Sequence, residues 1–277
     1  MTQTEKIAIR PAATVMLIDD RPDLQVFMME RHADNVFGPG MWVFPGGSVD
    51  NADDSSAAQA VSIHRSDAEA SNLLGLPHGG LAFYVAAIRE AFEESGILLA
   101  RRRGEFLQAD LSEPTVAARF QQHRDALNNR EKDFISILQQ ENLVVDAGAM
   151  HYVARWITPP GPPRRFDARF FIARIPAKQT PNHDNHELVH SRWMTPHEIL
   201  EKFASEEMSL MVPTLRMIKN LALFRTAGEV MTAAEANLPD ERVRMIADST
   251  HIVMPGEPGY DSAQEDVESG WIRLRPI

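Results

Sequence analysis

Residues 86–97 read AAIREAFEESGI, and this stretch decides how the chain is organised. Side chains three and four positions apart share one face of a helix, so Glu90, Glu93 and Glu94 converge on one side. Apolar residues recur at helical spacing on the other side and would pack this helix onto a core. Gly96 can adopt the left-handed conformation that ends a helix. The sequence therefore predicts a helix with an acidic face, followed by a strand at 97–99.

The acidic face has two interpretations. Carboxylate oxygens at this density are the ligands that Mg²⁺ or Mn²⁺ prefers, and a bound cation would hold the phosphates of a substrate. A run of charges on a helix is otherwise typical of a solvated surface. The residues upstream favour the metal site, because a Phe-Pro-Gly-Gly segment at 44–47 precedes the helix and lets backbone approach a ligand closely.

Gly47, Asp53 and residues 89–97 together resemble the signature of the Nudix hydrolases. In that family the signature runs glycine, five residues, glutamate, seven residues, Arg-Glu, an aliphatic residue, any residue, Glu-Glu, any residue, glycine and an aliphatic residue. The second half matches at every specified position. The first half departs twice, because Asp53 replaces the glutamate and the gap before Arg89 is much longer. Residues 54–81 are therefore predicted to be an insertion inside the Nudix box, with two short helices at 56–61 and 67–74.

The resemblance implies an α/β (α+β) fold, the Nudix α/β/α sandwich with a mixed sheet between helices. We expect the Nudix domain to span residues 10–225, enlarged by the insertion and by a helical block at 104–145, in which Ser112 caps the first helix. Residues 226–277 are expected to form a C-terminal extension with little regular structure. This extension would either wrap the core or support a homodimer.

The resemblance also assigns the active site. Arg89, Glu90, Glu93 and Glu94 are the predicted catalytic residues, and the three glutamates would bind Mg²⁺ or Mn²⁺ together with the carbonyl of Gly46. A polarised water would attack phosphorus, helped by Glu90 or another carboxylate as base. Arg89 would orient the glutamates.

Further residues are predicted to contact the substrate. Arg31 precedes the box and Gly47 begins it. Arg165 follows a stiff proline-rich loop that could present it, or the neighbouring Arg164, to a phosphate. Glu187 matches the position at which many Nudix enzymes place an acidic residue that supplements the metal site. The insertion is expected to form a wall of the substrate cleft or a dimer contact, because both its ends are tied to the catalytic loop and helix.

The function implied is hydrolysis of a nucleoside diphosphate linked to another moiety. A second motif in Nudix enzymes that cleave coenzyme A is half present, since Arg31 and Gly40 match while His32 and Val36 depart. The insertion and the segment Trp-Val-Phe-Pro-Gly-Gly at 42–47 resemble a branch of longer Nudix proteins that includes a peroxisomal acyl-coenzyme A diphosphatase. Coenzyme A or acyl-coenzyme A is therefore the expected substrate. The alternatives are an ADP-ribose, NADH or nucleotide-sugar diphosphatase, and a non-catalytic nucleotide-sensing Nudix module, which would not need these carboxylates.

Composition excludes several other classes of protein. At 277 residues, 44% of them hydrophobic and 24% charged, the chain is typical of a soluble globular protein. A net charge of −11 argues against nucleic-acid binding, and the absence of cysteine excludes disulfides and thiolate zinc sites. Neither a signal peptide nor an apolar run of membrane-spanning length is present. We therefore expect a cytoplasmic enzyme with a small-molecule diphosphate as its partner and no contact with nucleic acid or membrane.

Overall fold

The computed structural model describes residues 7–35, 38–183, 188–246, 252–263 and 270–277. The strands, in chain order, are β1 (Ile9–Asp20), β2 (Leu24–Arg31), β3 (Met41–Val43), β4 (Gly46–Ser48), β5 (Ser62–Ile63), β6 (Ala100–Arg102), β7 (Leu143–Asp146), β8 (His151–Ile157), β9 (Arg165–Arg174), β10 (Leu188–Met194), β11 (Ser209–Leu210), β12 (Glu241–Arg242), β13 (Arg244–Met245), β14 (Ile252–Val253) and β15 (Gly270–Ile272). The helices are α1 (Ser56–Ala60), α2 (Asp67–Leu74), α3 (Gly80–Ser95), α4 (Pro114–Asn128), α5 (Phe134–Gln140), α6 (Pro196–Ala204), α7 (Val212–Leu221) and α8 (Ala227–Glu235).

A mixed sheet forms the centre of the fold. Its strands run in the order β11-β3-β2-β1-β9-β8-β15-β12, with β10 beside β2 and β4 beside β1. β1 is parallel to β9 and antiparallel to β2 and β4. Its middle residues, Val15 to Ile18, are fully buried, because both faces of the sheet are covered and a continuous apolar run then fits better than an alternating one.

Helices cover the two faces of this sheet. α3 packs with Val15 and Leu17 on one face, whereas α6, α7 and α8 pack with Met16 and Ile18 on the other. Neighbouring residues of β1 point to opposite faces, which is why they divide between these two cores. The predicted α/β/α sandwich with a mixed sheet is thereby confirmed.

The acidic helix forms as predicted and has defined ends. At its start, the carboxylate of Asp67 accepts hydrogen bonds from the backbone nitrogens of Gly79 and Leu81, both at 3.0 Å. Gly96 ends it in the left-handed conformation, with φ of 72°. The strand predicted at 97–99 is wrong, since β6 begins only at Ala100. The side-chain amide of Gln179 instead binds both the nitrogen and the oxygen of Leu98, so this buried backbone is satisfied without a strand partner.

The insertion packs behind α3. It contains the two predicted short helices, α1 and α2, and a short strand, β5, that pairs parallel with β7 in a second, three-stranded sheet. A Cβ on Gly80 would lie 2.3 Å from the backbone nitrogen of Ser71, so only glycine allows α2 to approach the start of α3 this closely. The insertion is thus part of the packed core.

Two expectations about the later elements are corrected. Glu113, rather than Ser112, caps α4 by accepting a hydrogen bond of 3.0 Å from the nitrogen of Val116, whereas Ser112 binds Asp110. The C-terminal extension has more regular structure than expected. It contributes α8 to one core, and β15 pairs antiparallel with β8. Strands of two or three residues carry no readable period, which explains why the sequence pattern missed them. None of the described helices is long and apolar enough to cross a membrane.

Candidate active site

The guanidinium of Arg89 organises the acidic residues of α3. Its Nε and Nη2 atoms donate to the two carboxylate oxygens of Asp53 at 3.1 and 2.9 Å, and Nη2 also donates to the carbonyl of Ser48 at 2.9 Å. Its Nη1 atom donates to Glu90 at 2.7 Å and to Glu93 at 3.1 Å. Because a planar, two-pronged contact fixes orientation as well as charge, Arg89 locks α3 to the loop that carries Asp53.

The remaining glutamate of the box faces the glycine pair. Glu94 is buried and accepts a hydrogen bond of 2.8 Å from the nitrogen of Gly46. A Cβ on Gly47 would lie 2.5 Å from Oε1 of Glu90, and a Cβ on Gly46 would lie 2.6 Å from the carbonyl oxygen of Ala13. Glycine at both positions therefore allows β4 to pass between β1 and the carboxylates.

The site holds more negative than positive charge. Burial, reinforced by the charge of Glu93 and opposed by Arg89, raises the pKa of Glu90 to about 7. Burial also raises the pKa of Glu93 above its ordinary value. For Arg89, burial would lower the pKa, but the hydrogen bond to Asp53 and the charge of Glu90 outweigh it and raise the pKa. One arginine thus faces several buried carboxylates, and burial disfavours the charged forms of Glu90 and Glu93.

A hard divalent cation fits these residues. Carboxylate oxygens of Glu90, Glu93 and Glu94, with backbone oxygen from the glycine pair nearby, are the donors that such cations select. Across the described ranges, no three acidic or histidine side chains converge on a single point. Glu90 and Glu93 turn toward the guanidinium of Arg89 and Glu94 toward Gly46, so binding would need small rotations of these side chains.

A large cleft, with a volume of about 1920 Å³, opens beside the carboxylates. Arg89, Glu90, Glu93 and Glu94 line it, as do Gly46, Gly47 and Arg31 among the predicted site residues.

The structure does not bring Arg165 into the lining of this cleft. Its Nε atom donates to the carbonyl of Thr158 at 2.9 Å and so holds the proline-rich loop, while Arg164 lines the cleft. The insertion, residues 54–81, contributes no lining residue either, so the prediction that it walls the cleft is wrong. Glu187 lies outside the described residues.

Several residues of the cleft were missed by the sequence analysis. Ala12 and Thr14 of β1, and Ala168 and Phe170 of β9, lie on one face of the sheet and form part of its floor. Trp156 of β8 continues this floor. The alternation of side chains along a predicted strand shows which of its residues share a face of the sheet. It does not show which part of that face the helices leave uncovered.

A second cavity, of about 610 Å³, lies behind α3. The insertion contributes His64 to its wall, and the end of β7 contributes Asp146. The carboxylate of Asp146 accepts from Nδ1 of His64 at 2.9 Å, from the backbone of Gly148 at 3.2 Å, from Gln108 at 3.3 Å and from Arg101. Here the carboxylate is surrounded by donors.

A comparison with known families agrees with this geometry, in which one arginine holds several carboxylates beside a glycine pair on an α/β/α sandwich. The model of the NUDT19 Nudix domain matches residues 58–221, more than half of the chain. The chain belongs to this Nudix family. The predicted family and the predicted class of enzyme, a Nudix hydrolase acting on a diphosphate, are thereby confirmed, and Nudix hydrolases generally use divalent metal ions.

Curated relatives extend over most of this Nudix chain. It is 27% identical to the human protein named acyl-coenzyme A diphosphatase NUDT19, over 85% of this chain and 72% of that protein. It is 28% identical to the Gallus gallus protein of the same name, over 80% of this chain and 70% of that one. Among solved structures, a NUDIX hydrolase from Alicyclobacillus acidocaldarius superposes with a TM-score of 0.64 at 29% identity, covering 82% of this chain and 96% of that one.

Proposed function

We propose that the chain hydrolyses the diphosphate of coenzyme A or acyl-coenzyme A in the presence of Mg²⁺ or Mn²⁺. The observation that carries the proposal is the shape of the cleft, which joins buried carboxylates at one edge of the sheet to a long, largely apolar floor. A diphosphate linked to an apolar arm matches both parts. The relatives named acyl-coenzyme A diphosphatases support the same substrate class.

In this proposal Glu90, Glu93 and Glu94, with the carbonyl of Gly46, hold the divalent cation. When bound, the cation supplies neutralisation of the diphosphate and polarisation of a water molecule. Arg89 keeps Glu90 and Glu93 in place through the hydrogen bonds described above. Glu90 is the first candidate for the base that accepts the proton of the attacking water, because its carboxylate lines the cleft beside Glu93 and Glu94.

Basic residues on other parts of the cleft fit additional phosphates. Arg31, Arg130, Lys132 and Arg164 all line the cleft, and they lie on three segments other than the acidic α3. Coenzyme A carries a phosphate on its ribose besides the diphosphate, and arginine pairs with phosphate through two parallel hydrogen bonds. We propose Arg164, from the proline-rich loop, as the first candidate for this contact, in place of Arg165.

The competing substrate class is an ADP-ribose, NADH or nucleotide-sugar diphosphate. His32, where the coenzyme A motif has a small residue, is the observation that favours it. A nucleotide-sensing module without catalysis is disfavoured, since such a module needs no buried set of Arg89 and three glutamates. The cytoplasmic location and the homodimer stay predictions, the latter testable by light scattering of the purified chain.

A panel of diphosphates tests the proposal. The purified chain would be assayed with coenzyme A, acetyl-coenzyme A, ADP-ribose and NADH, each with Mg²⁺ or with Mn²⁺, and with a chelator as control. We expect cleavage of the coenzyme A compounds to have the highest kcat/KM and to stop with the chelator. Efficient cleavage of ADP-ribose with coenzyme A compounds left intact would overturn the substrate class.

A further inference from the structure

A row of paired residues crosses the floor of the cleft. Ser48 of β4 pairs with Ala12 of β1, Ala12 with Ala168 of β9, Ala168 with Trp156 of β8, and Trp156 with Gly270 of β15. Ser48, Ala12, Ala168 and Trp156 all line the cleft. Adjacent strands lie about 4.8 Å apart, so the row leads about 14 Å from the edge beside the carboxylates to the indole of Trp156.

This floor is open because the covering helices stop short of it. Met16 and Ile18 lie on the same face of β1 as Ala12 and Thr14, and they are fully buried under the helices on that face. Ala168, nearer the end of the sheet, keeps part of its surface exposed and lines the cleft. Alanine at positions 12 and 168 leaves a depression between the carboxylates and Trp156, since neither side chain extends beyond a methyl group.

The far end of the row is apolar and is built partly by the C-terminal extension. Trp156 and Phe170 of the neighbouring β9 line it, and both belong to one buried apolar cluster. Ile252 packs against this cluster, and its strand partner Met245 also lines the cleft; both are partly exposed.

Gly270 completes the far end. A Cβ on this residue would lie 2.7 Å from the Trp156 ring. The glycine therefore lets β15 lie directly against the indole and hold it as the end wall of the row.

We infer that the row from Ser48 to Trp156 seats the pantetheine arm of the substrate, and that Trp156, Met245 and Ile252 receive a linear acyl chain carried by that arm. The inference rests on the proposed function, because it places one half of the proposed substrate. An apolar chain gains free energy from leaving water, whereas the diphosphate must stay beside the carboxylates and their cation. One end of the cleft carries the carboxylates and the other end is apolar. This difference fixes the direction in which the substrate lies.

Chain-length dependence tests the seat. The wild-type chain would be assayed with coenzyme A and with its acetyl, hexanoyl and decanoyl thioesters below the concentrations at which they form micelles. Each methylene removed from water contributes up to about fourfold in affinity, so kcat/KM is expected to rise with chain length. Affinity is expected to rise with chain length in the same way when acyl-4′-phosphopantetheines, the acyl-bearing products, are measured as ligands by calorimetry.

Two variants locate the chain. Ile252→Asp places a charge where the acyl chain would lie and is expected to lower the ratio of kcat/KM for decanoyl-coenzyme A over coenzyme A by at least about tenfold. Ala168→Leu fills the depression midway and is expected to weaken binding of both phosphopantetheine and its decanoyl form. Leu223→Asp is the matched control, because Leu223 is 61% exposed and does not line the cleft; it should leave the ratio unchanged.

The outcomes separate the seat from the proposed function. If no coenzyme A compound is cleaved while another diphosphate is, the proposed function fails and the seat falls with it. If coenzyme A compounds are cleaved without dependence on chain length, the proposed function stands and the seat is overturned. The seat is also overturned if chain-length dependence is the same in Ile252→Asp, Ala168→Leu and Leu223→Asp, provided that all three variants melt near the wild-type temperature.

Discussion

Two clusters of arginine and carboxylate lie on opposite sides of α3. In one cluster the carboxylates outnumber the arginine, and in the other the donors outnumber the carboxylate. Toward the cleft, the single guanidinium of Arg89 is shared by Asp53, Glu90 and Glu93. Behind the helix, the single carboxylate of Asp146 is shared by several donors, Arg101 and His64 among them. The first cluster therefore has more carboxylates than cationic side chains, whereas in the second a single carboxylate is shared by several donors.

The difference teaches which cluster can bind a cation. A buried group is stable when its partners balance its charge, and an imbalance shows itself as a pKa shift or as affinity for a missing ion. Burial raises the pKa of Glu90 and Glu93 in the first cluster, and a divalent cation bound there would favour their charged forms. In the second cluster the donors already occupy Asp146, and a metal would have to displace them.

The largest effect is expected from Glu94, which joins α3 to the glycine pair. Glu94→Gln preserves its size and its hydrogen bond from Gly46 but removes the negative charge. We expect the fold to persist and kcat to fall by orders of magnitude at saturating Mg²⁺ or Mn²⁺, measured with the best substrate of the panel. Glu235→Gln, at the cavity behind α3, is the control and should keep normal turnover. Near-normal turnover in Glu94→Gln would contradict the assignment of this residue to the metal site.

Arg89 should behave differently from Arg101 when each is replaced by lysine. A lysine keeps the charge but cannot make the paired contact with Asp53 or hold Glu90 and Glu93 at once. We expect Arg89→Lys to lower kcat by about 10- to 100-fold, the usual cost of losing a residue that orients metal ligands. KM should change less than kcat, because Arg89 acts through the carboxylates. Equal losses in Arg89→Lys and Arg101→Lys would show that the effect is general destabilisation.

Asp146 should matter for stability and not for metal binding. Asp146→Asn leaves Arg101 without its carboxylate and is expected to lower the free energy of unfolding by about 1–3 kcal/mol, measured in urea. Addition of Mn²⁺ should raise the melting temperature of the wild type and of this variant by the same amount. If the metal-induced rise in melting temperature disappears in Asp146→Asn, the cation binds behind α3, and the second cluster rather than the first is the cation site.

The smallest expected effect comes from Asp67, which connects the insertion to the start of α3. Burial would raise its pKa, but hydrogen bonds from Leu81 and Gly79 outweigh it and hold the pKa below its ordinary value. Its contribution is therefore present above the unfolded pKa and is lost as pH falls through the lower, folded pKa. Asp67→Asn keeps only one of the two accepting oxygens, so it should cost about 0.5–1.5 kcal/mol at pH 7, the usual contribution of one hydrogen bond, and less toward pH 3.5, by urea unfolding. A cost that does not change with pH would show that the charge of Asp67 is irrelevant.

The sequence was most informative where the contacts are local. The spacing of Arg89, Glu90, Glu93 and Glu94 within one helix made their convergence predictable, and Gly96 marked the end of that helix. Both short helices of the insertion were also predicted, and the glycines and proline at 75–80 marked the break between the second of them and α3. The family signature added Asp53, whose pairing with Arg89 across the insertion the structure shows.

Contacts between distant segments could not be predicted. Nothing in the pattern indicates that the side chain of Gln179 replaces a strand partner for Leu98, or that Arg164 faces the cleft while Arg165 turns back to Thr158. The insertion was expected beside the substrate because its ends are, yet α2 buries its apolar face on the rear of α3. Which side of a helix a long loop covers depends on where unburied apolar surface remains, and that is a property of the assembled fold.

The pairing of β15 with β8 has a consequence during synthesis. The ribosome makes the chain from its amino end, and domains begin to fold in that order. A nascent chain that has reached α8 holds the complete box, with Arg89 and its carboxylates, but not yet Gly270, the neighbour of Trp156 in the sheet. The end of the cleft that carries the proposed metal ligands can therefore be assembled before the end that would distinguish one substrate from another.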